Sequence, residues 1–489
     1  MHTPPSNPPG NDAPARLQPG KHYHFLGIGG VGMSALAAVL HGWGHAVSGS
    51  DRQESPQLDA LRALGITVEA GHRAEALEGA DVLVYSAALP ASHPVMEAAR
   101  ARGMPCWHRA RLLGAIGQGA RTIAVAGTHG KTTCTGALAH LLEHLGDNPT
   151  ALVGGHLAQW GGGNYRMGDP SLLVCEADES DGSFVHLAPH AVLLTNVEPD
   201  HLDHHGTFEH VRAAFAAFLE RLGTGALVWC AEDPEAARLA AAHSGPTLAY
   251  GWAGGETASQ MALDCAVRLL ERGPQGSLLE VDIPASGEAP VTLRTPLLGR
   301  HNALNLAGVM LLGHHMGHAP GAMARVVAEY QGVRRRQQYV GVAGPWAVYD
   351  DYAHHPTEIQ ATLEAFKAVH SQPLTVIFQP HLYSRTASFT REFAQALRAA
   401  EHVLVTGIYG AREEPIPGVS ARDIVAAMEG HPSARYVEHW REVPQLLRGG
   451  GYPPGLLLTM GAGDITALGP QLCAEWPPVA PTGPGAPHD

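Results

Sequence analysis

The chain has 489 residues, more than one hydrophobic core usually supports, so two to four domains of roughly 100–200 residues each are expected. Hydrophobic residues make up 45% and charged residues 16%, and no apolar run approaches the ~20 residues of a membrane span. A formal net charge of −14 with dispersed basic residues excludes the basic stripe expected of a nucleic-acid or anionic-membrane surface.

The first twenty residues are rich in proline, glycine and asparagine and lack an apolar core, so 1–20 reads as a disordered tail, as does 476–489. From His22 to about Gly117, short apolar runs ("YHFLGI", "HAVSGSD", "ITVEA", "DVLVYSAALP") alternate with helix-like stretches. That pattern predicts a parallel α/β domain over 21–117. Its first strand ends in "GIGGVGMSA", with glycines at Gly27, Gly29 and Gly32. The spacing fits a fingerprint in which one glycine makes a tight turn, the next admits a pyrophosphate and the third lets helix pack on strand. Taken alone, it points to a nicotinamide cofactor and an oxidoreductase.

A second strand, glycine loop and helix begin at "TIAVAGTHGKTT", opening a domain expected over 118–333. Gly127, Thr128, His129, Gly130, Lys131, Thr132 and Thr133 form a shortened phosphate loop at a helix N-terminus, expected at the surface. Lysine occurs only at Lys21, Lys131 and Lys367, which makes its presence here informative. Lys131 can reach the β- and γ-phosphates of ATP, and a threonine hydroxyl can ligate Mg²⁺. "EADESDGSF" follows another apolar strand, where Glu176 is the best single metal-ligand candidate. "TNVEPDHLDHHGTF" offers His201 to a second divalent ion; with 31 histidines in the chain, the cluster does not demand zinc. In "LLGRHNALNLAGVMLL", His301, Asn302 and Asn305 occupy a first helical turn and suit a base or ribose, although capping by Asn302 explains them equally well.

The last domain is expected over 334–475. "VYDDYAHHPTE" and "VIFQPHLYSRT" each end a strand in polar residues: Asp350, Asp351, His354 and His355 in one, His381 and Arg385 in the other. A shared cleft would suit a small carboxylate, whereas exposed loop charges are the plainer alternative. Six cysteines, at 106, 134, 175, 230, 265 and 473, form no C-x-x-C pair and signal neither zinc nor a disulfide framework, so a cytoplasmic location is expected.

Together "GTHGKTT", "EADES", "TNVEPDHLD", "LLGRHNALN", "DDYAHHPTE", "FQPHLYSRT" and "GAGDI" occur in an order that resembles the Mur ligase family of peptidoglycan synthesis, over about Tyr23 to Leu468. The resemblance implies an α/β protein of three domains, the first and last Rossmann-like and the central one like P-loop ATPases. It implies that Gly27, Gly29, Gly30 and Gly32, with Ser50, Asp51 and Ser86, face a UDP-sugar and no nicotinamide. Thr132 and Glu176 would ligate one Mg²⁺ or Mn²⁺ and His201 a second. His301, Asn302 and Asn305 would hold the nucleoside of ATP, and His354 and Arg385 the carboxylate of an amino acid. The reaction implied is ligation through an acyl phosphate stabilised by Lys131. No lysine lies between Lys131 and Lys367, so the carbamylated lysine of later-acting members is absent. That matches the step joining L-alanine to UDP-N-acetylmuramate, with ligation of a recycled tripeptide to the same sugar as the close alternative. Leu382 stands where some relatives carry arginine.

Overall fold

Apolar runs of four to six residues, buried on both faces, become the inner strands of three separate sheets, as parallel strands covered by helices require. A computed structural model describes residues 16–478 apart from 87, 88, 91 and 412. Most of the two expected tails therefore lies outside the described residues.

The first sheet contains β1 (His22–Leu26), β2 (Ala46–Asp51), β3 (Thr67–Ala70), β4 (Val82–Tyr85) and β5 (Cys106–His108). All pair in parallel in the order β3-β2-β1-β4-β5. The order reverses at β1, so a crevice opens beyond its C-terminal end, where the glycine loop leads into the helix Val31–Gly42.

The second sheet has ten strands: β6 (Arg121–Ala126), β7 (Pro149–Leu157), β8 (Gly163–Arg166), β9 (Asp169–Glu176), β10 (Ala191–Leu194), β11 (Ala226–Cys230), β12 (Thr247–Trp252), β13 (Cys265–Gly273), β14 (Gly276–Asp282) and β15 (Val291–Thr295). β6 lies between β10 and β9, parallel to both. The phosphate loop, Glu176 and the 195–201 segment consequently leave neighbouring strand ends together. The antiparallel meander β13 to β15 extends this sheet; sequence reading passed it over, although Val267, Leu279, Val281 and Leu293 alternate with exposed or half-buried residues.

The third sheet runs β16 (Gln338–Ala343), β17 (Trp346–Asp351), β21 (Gly455–Met460), β18 (Leu374–Phe378), β19 (His402–Thr406) and β20 (Ala434–Val437), with only β16 antiparallel. One buried apolar cluster runs from Tyr23 and Phe25 of the first sheet to Phe184 and Phe215, which lie outside the strands in the central domain. The third sheet keeps cores of its own. Among the described residues no helix is long and apolar enough to cross a membrane.

Two loop glycines are dictated by sterics. Gly127 has φ +133°, and a Cβ there would lie 2.0 Å from Thr195 Oγ1; Gly130 has φ +84°, with Asn305 Oδ1 2.8 Å from its would-be Cβ. Gly127→Ala is predicted to destabilise the protein by about 2 kcal/mol or more, through strain plus overpacking. A denaturant midpoint equal to wild type would contradict this reading of the loop.

Candidate active site

Gly130 caps the helix Lys131–His144, leaving its first N–H groups directed at the space where a phosphate can sit. Backbone and side chain of Asn196 anchor the loop, accepting the Thr128 N–H and the His129 N–H, each at 2.9 Å. Lys131 Nζ donates to Gly127 O at 2.5 Å, Thr128 O at 3.0 Å and Glu179 Oε1 at 2.9 Å. Its side chain is only 12% exposed, a correction to the expected surface loop: the acidic segment after β9 folds over it. Burial works against the Lys131 charge, but Glu179 and Asp178 outweigh it and raise its pKa. Burial pushes Glu179 up to about 7 despite the lysine. Burial would raise Asp178 as well, yet Arg109 and Lys131 hold it well below the usual carboxylate range.

Thr132 Oγ1 donates to Glu176 Oε2 at 3.2 Å, and Gly154 N–H binds the other oxygen. Glu176 also lines a cavity of about 320 Å³ between the first two domains, together with Gly30, Gly32, Ser86, Arg109 and Asp178. Ser50 and Asp51 do not line it. Ser50 is fully buried, its hydroxyl 3.0 Å from His72 Nδ1, and Asp51 Oδ2 accepts the Gly29 N–H at 2.8 Å. Both shape the glycine loop, the Ser50 carbonyl accepting the Gly27 and Ile28 amides.

A second cavity, of about 140 Å³, lies where the central and last domains meet. His129, Gly130, Thr132 and Thr133 line one side and His301, Asn302 and Asn305 another. Burial lowers His301 to about 4, leaving a neutral imidazole. Asn302 Nδ2 donates to Leu298 O at 2.8 Å, and Asn305 Nδ2 to Asn302 Oδ1 at 3.3 Å. His129 sits between Glu198 at 3.6 Å and Glu358 at 3.4 Å. Burial alone would lower its pKa, but the two carboxylates raise it to about 9. His129, Glu198 and His355 bring donor atoms within 4.8 Å of one another, but the proton on His129 already balances the charge there.

His201 adopts φ +52° and places Nε2 3.8 Å from Glu179 Oε1 and 3.6 Å from Asp200 Oδ2. Burial lowers its pKa. Across the domain boundary Arg385 donates to Asp200 Oδ1 through Nη2 at 2.7 Å and Nε at 3.1 Å, both side chains almost wholly buried. His354 and His381 meet edge to face at 5.8 Å, so the two strand-end segments lie side by side. Asp350 and Asp351 are taken up by the scaffold: Asp350 accepts the Thr459 and Thr466 hydroxyls and Asp351 the Gln337 and Ala353 amides. Leu382, with φ +68°, is buried at the start of the helix Tyr383–Leu397. Sequence reading assigned no role to Glu179, Glu198, Asp200 and Glu358, which lie in the segments it singled out, and passed over Arg109.

His129 gives the interface a pH signature. Its folded pKa of about 9 exceeds the ordinary 6.5, so the folded state holds the proton more tightly. That stabilisation is complete below about pH 6.5 and is lost as pH rises through about 9. The unfolding free energy of wild type minus that of His129→Gln is predicted to shrink across this window in denaturant titrations. A pH-independent difference would contradict the pairing with Glu198 and Glu358.

Three family models match successive segments: Mur ligase family, catalytic domain, over residues 22–121; Mur ligase middle domain over 125–313; and Mur ligase, glutamate ligase domain, over 335–463. The chain is 42% identical to the UDP-N-acetylmuramate–L-alanine ligase of Mycobacterium marinum over 465 residues, 92% of this chain and 94% of that one. It is 42% identical to the ligase of the same name from Rubrobacter xylanophilus, covering 92% and 99% of the two chains. The solved UDP-N-acetylmuramate-alanine ligase of Thermotoga maritima superposes with a TM-score of 0.76 at 28% identity, covering 93% of this chain and 98% of that one. A murein peptide ligase from Psychrobacter arcticus superposes at 0.69 with 25% identity over the same shares. Matched across all three of its sheets and over nine-tenths of its length, the chain belongs to the Mur ligase family.

Proposed function

We propose that this chain joins L-alanine to the lactyl carboxylate of UDP-N-acetylmuramate, converting ATP to ADP and phosphate. One observation carries the reading. A continuous row of polar groups runs from the glycine-loop cavity through Glu176, Thr132, Lys131 and Glu179 to His201, Asp200 and Arg385. Three ligands bound along that row would meet around Lys131.

ATP enters the smaller cavity with its nucleoside against His301, Asn302 and Asn305, and its phosphates along Gly127 to Thr133. Lys131 then exchanges Glu179 for the γ-phosphate and offsets charge as it develops. The sugar nucleotide lies over Gly30 and Gly32, beside Ser86. A carboxylate oxygen attacks the γ-phosphorus, the bond to ADP breaks, and an acyl phosphate forms. His354 and Arg385 receive the alanine carboxylate; the amine attacks the acyl carbon, phosphate departs with the carboxylate oxygen, and the amine gives up its proton. Water must be kept from the acyl phosphate, which the meeting of domains around Lys131 serves.

A hydroxyl and a carboxylate converge at Thr132 and Glu176, a donor set suited to a hard divalent cation, and the neutral imidazole of His201 suits a second. Mg²⁺ or Mn²⁺ held there would neutralise phosphate charge. The reaction belongs in the cytoplasm, where ATP is supplied.

With ¹⁸O in the lactyl carboxylate, one labelled oxygen is expected in the released phosphate. Unlabelled phosphate, with the lost oxygen appearing in water, would exclude the acyl phosphate. Lys131→Ala is expected to lower kcat by at least about 100-fold; a rate near wild type would remove Lys131 from its role.

A further inference from the structure

The cavity between the first two domains poses a charge problem. Its described lining holds two carboxylates, Glu176 and Asp178, and one cation, Arg109. An anionic sugar nucleotide entering there needs positive charge, and the glycine loop offers only backbone N–H groups.

Arg109 is the first residue of the helix Arg109–Gly117, which belongs to the first domain. Its Nη2 donates to Asp178 Oδ2 at 2.8 Å and lies 3.7 Å from Asp181 Oδ2, both on the acidic segment of the central domain. Its other terminal nitrogen lies 3.9 Å from where a Cβ on Gly32 would stand. The guanidinium therefore sits beside the third glycine of the loop, fastened to a carboxylate of the neighbouring domain.

We propose that Arg109 is the side chain that binds the diphosphate of the sugar nucleotide, exchanging Asp178 for that ligand when it enters. The proposal rests on reading this cavity as the sugar-nucleotide site. A planar guanidinium matches phosphate oxygens in two parallel hydrogen bonds and adds a full positive charge, which backbone amides do not carry. Asp178 is then a competitor of the substrate. If Arg109 were only a strap between domains, Asp178 would be its anchor, and the loss of either residue would have the same effect.

Calorimetric titration of the full chain with UDP-N-acetylmuramate, and with UDP as the diphosphate probe, separates the two. Arg109→Ala is expected to weaken both ligands about 10- to 100-fold, Arg109→Lys to fall between, and Asp178→Asn to tighten both. Arg109→Ala binding like wild type would overturn the proposal, as would Arg109→Ala and Asp178→Asn weakening together. Failure of wild type to bind either ligand would overturn the reading of the cavity itself.

Discussion

The architecture turns on balancing the carboxylates that gather at the ends of β9 and β10. Asp178, Glu179 and Asp200 each meet a cation, and each cation comes from a different domain: Arg109 from the first, Lys131 from the central one and Arg385 from the last. Desolvating such groups is costly unless they are paired, so the acidic strand ends of the central sheet dictate where the flanking domains dock. The same pairs are exchangeable. On the proposed mechanism a cation leaves its protein carboxylate for an anion carried by a ligand: Arg109 lines the glycine-loop cavity, and Lys131 lies between Gly130 and Thr132, which line the smaller one.

On the proposed exchange, the protein's internal ion pairs stand in for those it would make with its ligands. Lys131 is held against carbonyls and Glu179, which keeps it charged in a buried setting. Arg385 is held with Asp200 and His381, which fixes the fork of its guanidinium where the last domain faces the central one. Binding then replaces internal partners with external ones at little cost in reorganisation.

How far the sequence reveals this depends on whether a residue's signal is local. Lys131, Glu176 and His201 are legible because each follows a strongly apolar strand, and parallel sheets place such residues on a common edge. Their meeting at neighbouring strand ends follows from the order β10-β6-β9, which no single segment encodes. Ser50 and Asp51 sit at the expected strand end, where the Ser50 carbonyl accepts the Gly27 and Ile28 amides and the Asp51 carboxylate the Gly29 amide. Arg109 carries no pattern of its own, opening an ordinary helix, and Asp200, although it lies in "TNVEPDHLD", is an acid among acids. They acquire meaning only from partners 69 and 185 residues away. The glycine fingerprint alone permits a dinucleotide, and only its position on a cavity shared with Glu176 links it to the phosphate loop.

The alanine-adding reaction and its tripeptide-recycling alternative use the same ATP and the same sugar, and differ in the amine. The most direct measurement is ADP release with ATP, Mg²⁺ and UDP-N-acetylmuramate, comparing L-alanine, glycine, L-serine and the stem tripeptide, with product masses determined. The account predicts release that depends on L-alanine and a product heavier by one alanyl residue. Preference for the tripeptide, or release independent of any amine, would contradict it.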